Sequence, residues 1–176
     1  MVECTEMHGW YLTQLAFFRG CERESGECLQ RVLGGDAKPV GGRAAYGELG
    51  TVFNIAPCQY WVVTHNAAVD RAWPTVVAPL TGSVTPLSHS RVRLAVSGPA
   101  VRAMLGKLVS VDLAPKRLRV GDFVQTALHH TGILLHRADE QRYELYLPRS
   151  FAASLWSWLN DAALSMGELS MEQNRT

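Results

Sequence analysis

The stretch Pro86–Leu113, PLSHSRVRLAVSGPAVRAMLGKLVSVDL, decides how this chain folds, because a strand, a sharp turn and a helix follow one another within it. Val92, Leu94 and Val96 alternate with Arg91, Arg93 and Ala95, the period-2 pattern of a half-buried strand. Ser97-Gly98-Pro99 then breaks the pattern. A serine can cap the orphan N–H groups of a helix, and proline suits a first turn because its missing donor would have no partner there. Val101, Met104, Leu105, Leu108 and Val109 recur at i, i+3, i+4, i+7 and i+8, one apolar face at helical period. Lys107 falls near the end, where a cation complements the helix macrodipole. The reading is a strand over 91–96 and a helix over 98–109.

Upstream, the aromatic and apolar run Trp10–Arg19 predicts a first strand. Cys21–Leu33 predicts a helix with Cys28, Leu29, Val32 and Leu33 on one side, ended by Gly34-Gly35. A glycine-rich loop over 36–47 leads to two apolar runs, Thr51–Ile55 and Gln59–His65, separated by Ala56-Pro57-Cys58 as in a hairpin. Downstream, Asp122–His129, Gly132–Arg137 and Arg142–Leu147 predict a three-strand meander. A closing helix over 151–164 follows, with Phe151, Leu155, Trp158, Leu159 and Ala162 as its buried stripe. The expected organisation is a β-α-β-β module over residues 1–66, a connection with one short helix over 67–85, a β-α-β-β-β-α module over 86–165 and a polar, frayed tail over 166–176. The fold class is therefore α+β: two β-α-β-β-type, ferredoxin-like modules with helices packed on antiparallel sheets.

The chain has 176 residues, 47% of them hydrophobic and 19% charged, with net charge +1, enough for one compact domain or two small ones. Near-neutral charge argues against a nucleic-acid partner, which requires a phosphate-neutralising excess. No apolar run approaches the roughly 18 residues of a membrane span, and MVECTEMHGWYL lacks the basic start of a signal peptide. A cytoplasmic protein is expected. Cys4, Cys21, Cys28 and Cys58 show no C-x-x-C spacing and read as reduced structural thiols.

Two blocks carry a family resemblance. LSHSRVRLAVSGPAVRAMLGKLVSVDL and VGDFVQTALHHTGILLHRADEQRYELYLPRSFAASLWSWLNDAA resemble the strand-SGP-helix-xDL signature and the ending of folate-binding aminomethyltransferase domains. Within that group the chain is most similar to the gamma subunits of heterotetrameric sarcosine oxidases, with the small subunits of N-methylglutamate dehydrogenases as near neighbours. The resemblance implies a non-catalytic accessory subunit with alpha, beta and delta subunits as partners. It places FAD, FMN, NAD and zinc in those siblings, where sarcosine is oxidised to glycine and its one-carbon unit passes to tetrahydrofolate. A stand-alone folate-binding protein is the alternative.

Candidate chemistry in this chain is sparse. Aminomethyltransferases of the group carry a catalytic aspartate on the strand that here reads Thr131-Gly132-Ile133-Leu134-Leu135-His136, and Leu135 and His136 stand at the carboxylate positions. A leucine accepts no proton, and a neutral imidazole lacks a carboxylate's charge. No catalytic, cofactor-binding or metal-binding residue is therefore assigned. His129-His130 reads as turn polarity, since neighbours on a strand point to opposite faces and would not share a metal. His136 is expected to face solvent or a partner, and Ser88-His89-Ser90 to make hydrogen bonds in a loop. Neither a G-x-G-x-x-G turn after a strand nor a G-x-x-x-x-G-K-[ST] loop is present.

The aromatic residues and arginines are the better clue, because both are enriched where proteins dock. Fourteen arginines stand against three lysines. Trp156 lies about 140° round the closing helix from Phe151, off the expected stripe. The interface candidates are Trp156, Tyr60, Trp61 and Trp73, with Arg117 and Arg119 of the basic run Lys116–Arg119.

Overall fold

In the computed structural model, which describes residues 1–34 and 39–173, the elements follow in the order β1 (Glu3–Glu6), β2 (Tyr11–Phe17), α1 (Glu22–Leu33), β3 (Ala45–Gly47), β4 (Gly50–Ala56), β5 (Gln59–Thr64), α2 (Ala67–Val76) and β6 (Gly82–Pro86). Then come β7 (Arg91–Ser97), α3 (Val101–Leu108), β8 (Phe123–Leu128), β9 (Thr131–Asp139), β10 (Arg142–Pro148), a 3-10 turn at Arg149–Phe151 and α4 (Ala152–Gln173). The architecture is α+β, with two five-stranded antiparallel sheets. Gly35, the loop residues 36–38 and the side chains of Val32 and Leu33 lie outside the described residues.

Two compact units form, one from Gly9–His89 and the other from Met1–His8 together with Ser90 onward. The first orders its strands β3-β4-β5-β2-β6. Leaving aside the short β3, this is the β-α-β-β-α-β path of a ferredoxin-like module. The stretch 67–85, expected as a connection with one short helix, supplies both α2 and the edge strand β6, which pairs Thr13↔Pro86 through Phe17↔Gly82 with β2. Asn66 caps α2 by accepting the Ala68 N–H, and the Thr13 hydroxyl donates to Asp70 at 2.6 Å, tying that helix to β2. Leu15, Phe17, Leu29, Val52, Val62, Val69 and Trp73 form the core of this unit.

The second unit orders its strands β1-β7-β10-β9-β8. It matches the first place for place, with β8, β9, β10 and β7 where the other sheet has β3, β4, β5 and β2. One exchange breaks the repeat. In the first unit the edge strand beside β2 follows α2 in the chain; in the second, no strand follows α4 among the described residues, and β1 occupies that edge beside β7 (Glu3↔Ser97 through Glu6↔Leu94). Residues 1–8 therefore belong with the second half of the chain, contrary to the expected boundary at 66. ECTE carries no apolar periodicity that could announce such a role.

The deciding stretch folds as a strand, turn and helix with one change. Helix α3 starts at Val101 and not at 98, its N-cap is Ala100, and Ser97 does not cap it. Gly98 sits at φ +126°, where a Cβ would run into the Met1 carbonyl, so the turn is shaped by the passing N-terminal segment. Val92, Leu94 and Val96 pack with Tyr143, Leu145 and Leu147 of β10, with Met104 and Leu105 of α3 and with Leu155 and Leu159 of α4. Helix α4 continues to Gln173, through most of the stretch expected as a frayed tail.

Candidate functional site

The half-buried reading of β7 fails on its second face. Arg93 and Ala95, expected to point to solvent, are 9% and 6% exposed. Strand β10 lies between β7 and β9, with Tyr146 opposite Arg93 in one register and Glu144 opposite His136 in the other. Because side chains alternate along each strand, Arg93, Glu144, Tyr146 and His136 share the face turned away from the helices. Four donors converge on one carboxylate. Arg93 Nη2 donates to Glu144 Oε2 at 2.8 Å, the Tyr146 hydroxyl and His136 Nδ1 reach the same oxygen at 3.4 Å each, and Arg142 Nη2 meets Oε1 at 3.5 Å. The Arg93 guanidinium also lies over the Tyr146 ring, 5.6 Å from its centroid.

This arrangement sets the charge state. Burial alone would raise the Glu144 pKa, but the hydrogen bond from His136 and the charge and hydrogen bond of Arg93 outweigh it and lower the value to about 2. The carboxylate is thus an anion at neutral pH, and His136 Nδ1 must carry the proton it donates. A general base works best with a pKa near the operating pH, so Glu144 is poorly suited to take a proton from a substrate. Its chemistry is that of a buried counter-ion: it neutralises Arg93 and joins three strands.

Glu144 was not anticipated from the sequence, and His136, expected to face solvent or a partner, is 3% exposed and part of this cluster. The available signal was an acid between apolar residues in RYELYLP and an arginine between apolar residues in RVRLAV. Their pairing depends on strand register, which neither segment contains.

Among the interface candidates, Trp73 is fully buried in a core and Trp61 is 8% exposed, with its indole N–H donated to Gln14. Tyr60 is half-buried and packs edge-to-face on Phe17, and Trp156 is half-buried against the second unit's core. Of the expected stripe of α4, Leu155, Leu159 and Ala162 turn inward, joined by Met166, while Phe151 and Trp158 are 52% and 44% exposed. Phe151 lies in the 3-10 turn before the helix, from which an α-helical period cannot be counted, and Trp158 sits about 100° round the helix from Leu159, at the edge of the stripe. Arg117 and Arg119 are exposed as expected, the first 3.9 Å from Asp112 and the second 3.5 Å from Asp122. His129 and His130 do not diverge as strand neighbours would. They form the β8–β9 turn, His129 at φ +56°, with ring centroids 4.2 Å apart. Ser88 hydrogen-bonds the Leu12 backbone, as expected of its loop. The four cysteines are free thiols, and among the described residues no group of three or more His, Cys, Asp or Glu is placed to hold a metal ion.

Paired antiparallel modules with this order of elements place the chain in the α+β class of tandem ferredoxin-like folds. The chain belongs to the GCVT N-terminal domain family, whose model matches residues 23–171. It is similar to sarcosine oxidase subunit gamma of Corynebacterium sp. (strain P-1), 36% identical over 81 residues, 46% of this chain and 40% of that protein. The Arthrobacter sp. sarcosine oxidase subunit gamma is 38% identical over 82 residues, again 46% of this chain and 40% of the relative. The match thus spans two-fifths of the length of these curated relatives. Among solved structures, a chain of the heterotetrameric sarcosine oxidase from Corynebacterium sp. U-96 superposes with TM-score 0.82 at 25% identity, over 92% of this chain and 83% of that one. Glycine cleavage system aminomethyltransferase T from Bartonella henselae shares the fold, with TM-score 0.67 at 20% identity over 90% of this chain and 45% of that one.

Proposed function

We propose that this chain is the small, gamma-type accessory subunit of a heterotetrameric, flavin-dependent sarcosine oxidase. The observation that carries the reading is the superposition on a chain of such an oxidase across 92% of this chain and 83% of the other. In this reading the alpha, beta and delta partners hold FAD, FMN, NAD and zinc, and the complex oxidises sarcosine to glycine in the cytoplasm and passes the one-carbon unit to tetrahydrofolate. No helix among the described residues is long and apolar enough to cross a membrane, in keeping with that setting. This chain's own part is structural. The carboxylate nearest to an acid–base role, Glu144, is held as an anion by Arg93 and His136.

The test is co-expression of the full chain with the other three subunits of its own organism's oxidase. A stable four-subunit complex that turns over sarcosine, beside an isolated chain that does not when flavin is added, is the expected result. A chain that stays monomeric at micromolar concentration beside those subunits refutes the assignment. Titration of the isolated chain with tetrahydrofolate separates off the stand-alone folate-binding alternative, which alone requires tight binding.

A further inference from the structure

At the end of the second unit's sheet where β7 starts and β10 finishes, three rings pack together at the surface. Phe151, which ends the 3-10 turn, and Trp158, on α4, are 52% and 44% exposed. The His129 ring packs against Trp158 at a tilt of 41° with centroids 3.7 Å apart, and His130 packs against His129 at 50° and 4.2 Å. His129 holds this place in a left-handed conformation that disfavours every residue with a Cβ. Single exposed apolar residues are ordinary on a protein surface, but a packed set is a patch.

Its charge is one-sided. Arg149 belongs to the 3-10 turn that leads to Phe151; its guanidinium donates to the Arg91 carbonyl at 3.2 Å and its backbone N–H donates to the Ser90 carbonyl. The segments 90–91, 129–131 and 149–161 together contain two arginines against one carboxylate, Asp161. Rings flanked by guanidinium groups are the composition of binding hot spots. The excess of positive charge on this face calls for carboxylates opposite it.

We propose that this patch is the docking surface for a partner subunit, and that the partner presents an acidic face with an apolar recess that receives Trp158. The inference rests on the reading of the chain as a subunit of an oxidase complex and names the face it uses. The whole chain's net charge of +1 favours a protein over a nucleic acid as the occupant.

The test uses the full chain co-expressed with the other three subunits, comparing wild type with Trp158→Glu, the milder Trp158→Ala, and Arg149→Glu. Phe18→Ser, at an exposed phenylalanine of the other unit, is the control. Trp158→Ala should weaken assembly by about 30-fold or more and Arg149→Glu by about tenfold, with unchanged circular dichroism, while the control stays within about threefold of wild type. Raising salt should weaken wild-type assembly more steeply than that of Arg149→Glu. If wild type assembles and both Trp158 variants assemble equally well, this surface is wrong although the subunit reading stands. If wild type does not assemble, the subunit reading itself fails, and the docking surface with it. Binding of a mixed-sequence oligonucleotide at physiological salt as tightly as the sibling subunits would also overturn the proposal.

Discussion

Replacing Glu144 by Gln should destabilise the chain by about 3 kcal/mol at pH 7, and two separate routes give that magnitude. Arg93 and Glu144 side chains are 10% and 7% exposed, so removing one charge leaves the other buried and uncompensated. Breaking a buried pair in this way costs about 3–5 kcal/mol, and Gln, which keeps the shape and one acceptor oxygen, belongs at the low end. The second route is titration. The Glu144 pKa falls from 4.5 in the unfolded chain to about 2 in the folded one. At about 1.4 kcal/mol per unit, that gap corresponds to roughly 3 kcal/mol. Because the folded value is the lower one, this stability is fully present above pH 4.5 and disappears as pH falls through about 2. The assay is urea denaturation of wild type and Glu144→Gln at pH 7, 4.5 and 3, followed by circular dichroism. Wild type should lose stability relative to the variant on the acid side, so that the two curves converge. The double variant Arg93→Met/Glu144→Leu should recover most of the loss, since it leaves no orphaned charge. A variant within 1 kcal/mol of wild type at pH 7, or two curves running parallel down to pH 3, would refute the counter-ion assignment.

Gly98→Ala places a Cβ against the Met1 carbonyl at a φ that alanine avoids. The loss should be about 2 kcal/mol, read as a thermal midpoint lower by about 4–8 °C, and an unchanged midpoint would show that β1 does not hold this turn. Asn66→Ala should cost about 1 kcal/mol through the lost cap of α2 while Asn66→Asp costs little, both read by urea midpoints; equal losses would mean the cap contributes nothing. Thr13→Val removes the donor to Asp70 and should cost about 1–2 kcal/mol, a loss absent from the same change made in an Asp70→Ala background.

Local pattern was sufficient where an element carries its own period. The strand 91–97 and the helix after it, the 50–64 hairpin and the meander 123–148 were all legible, because each carries its period and its turn in consecutive residues. The failures have two physical causes. β6 and β1 are edge strands of five and four residues, largely polar, whose place is set by backbone pairing with a partner. The buried stripe of α4 held at Leu155, Leu159 and Ala162 and missed at Phe151, which lies in a 3-10 turn with a different residue period, and at Trp158 on the stripe's edge.

The helices and the inner strands, the α+β class, the family likeness and one apolar face of each core element are properties of the sequence alone, since they follow from short-range periodicity and from motifs within single segments. Only the tertiary structure decided that β1 completes the second sheet, that Arg93, His136 and Glu144 meet in one buried cluster, and that Trp158 faces outward while Trp73 does not. These depend on register and on contacts between residues far apart in the chain, such as the 51 positions between Arg93 and Glu144. Beyond hairpins joined by short turns, no local pattern of residue types encodes which strand lies beside which.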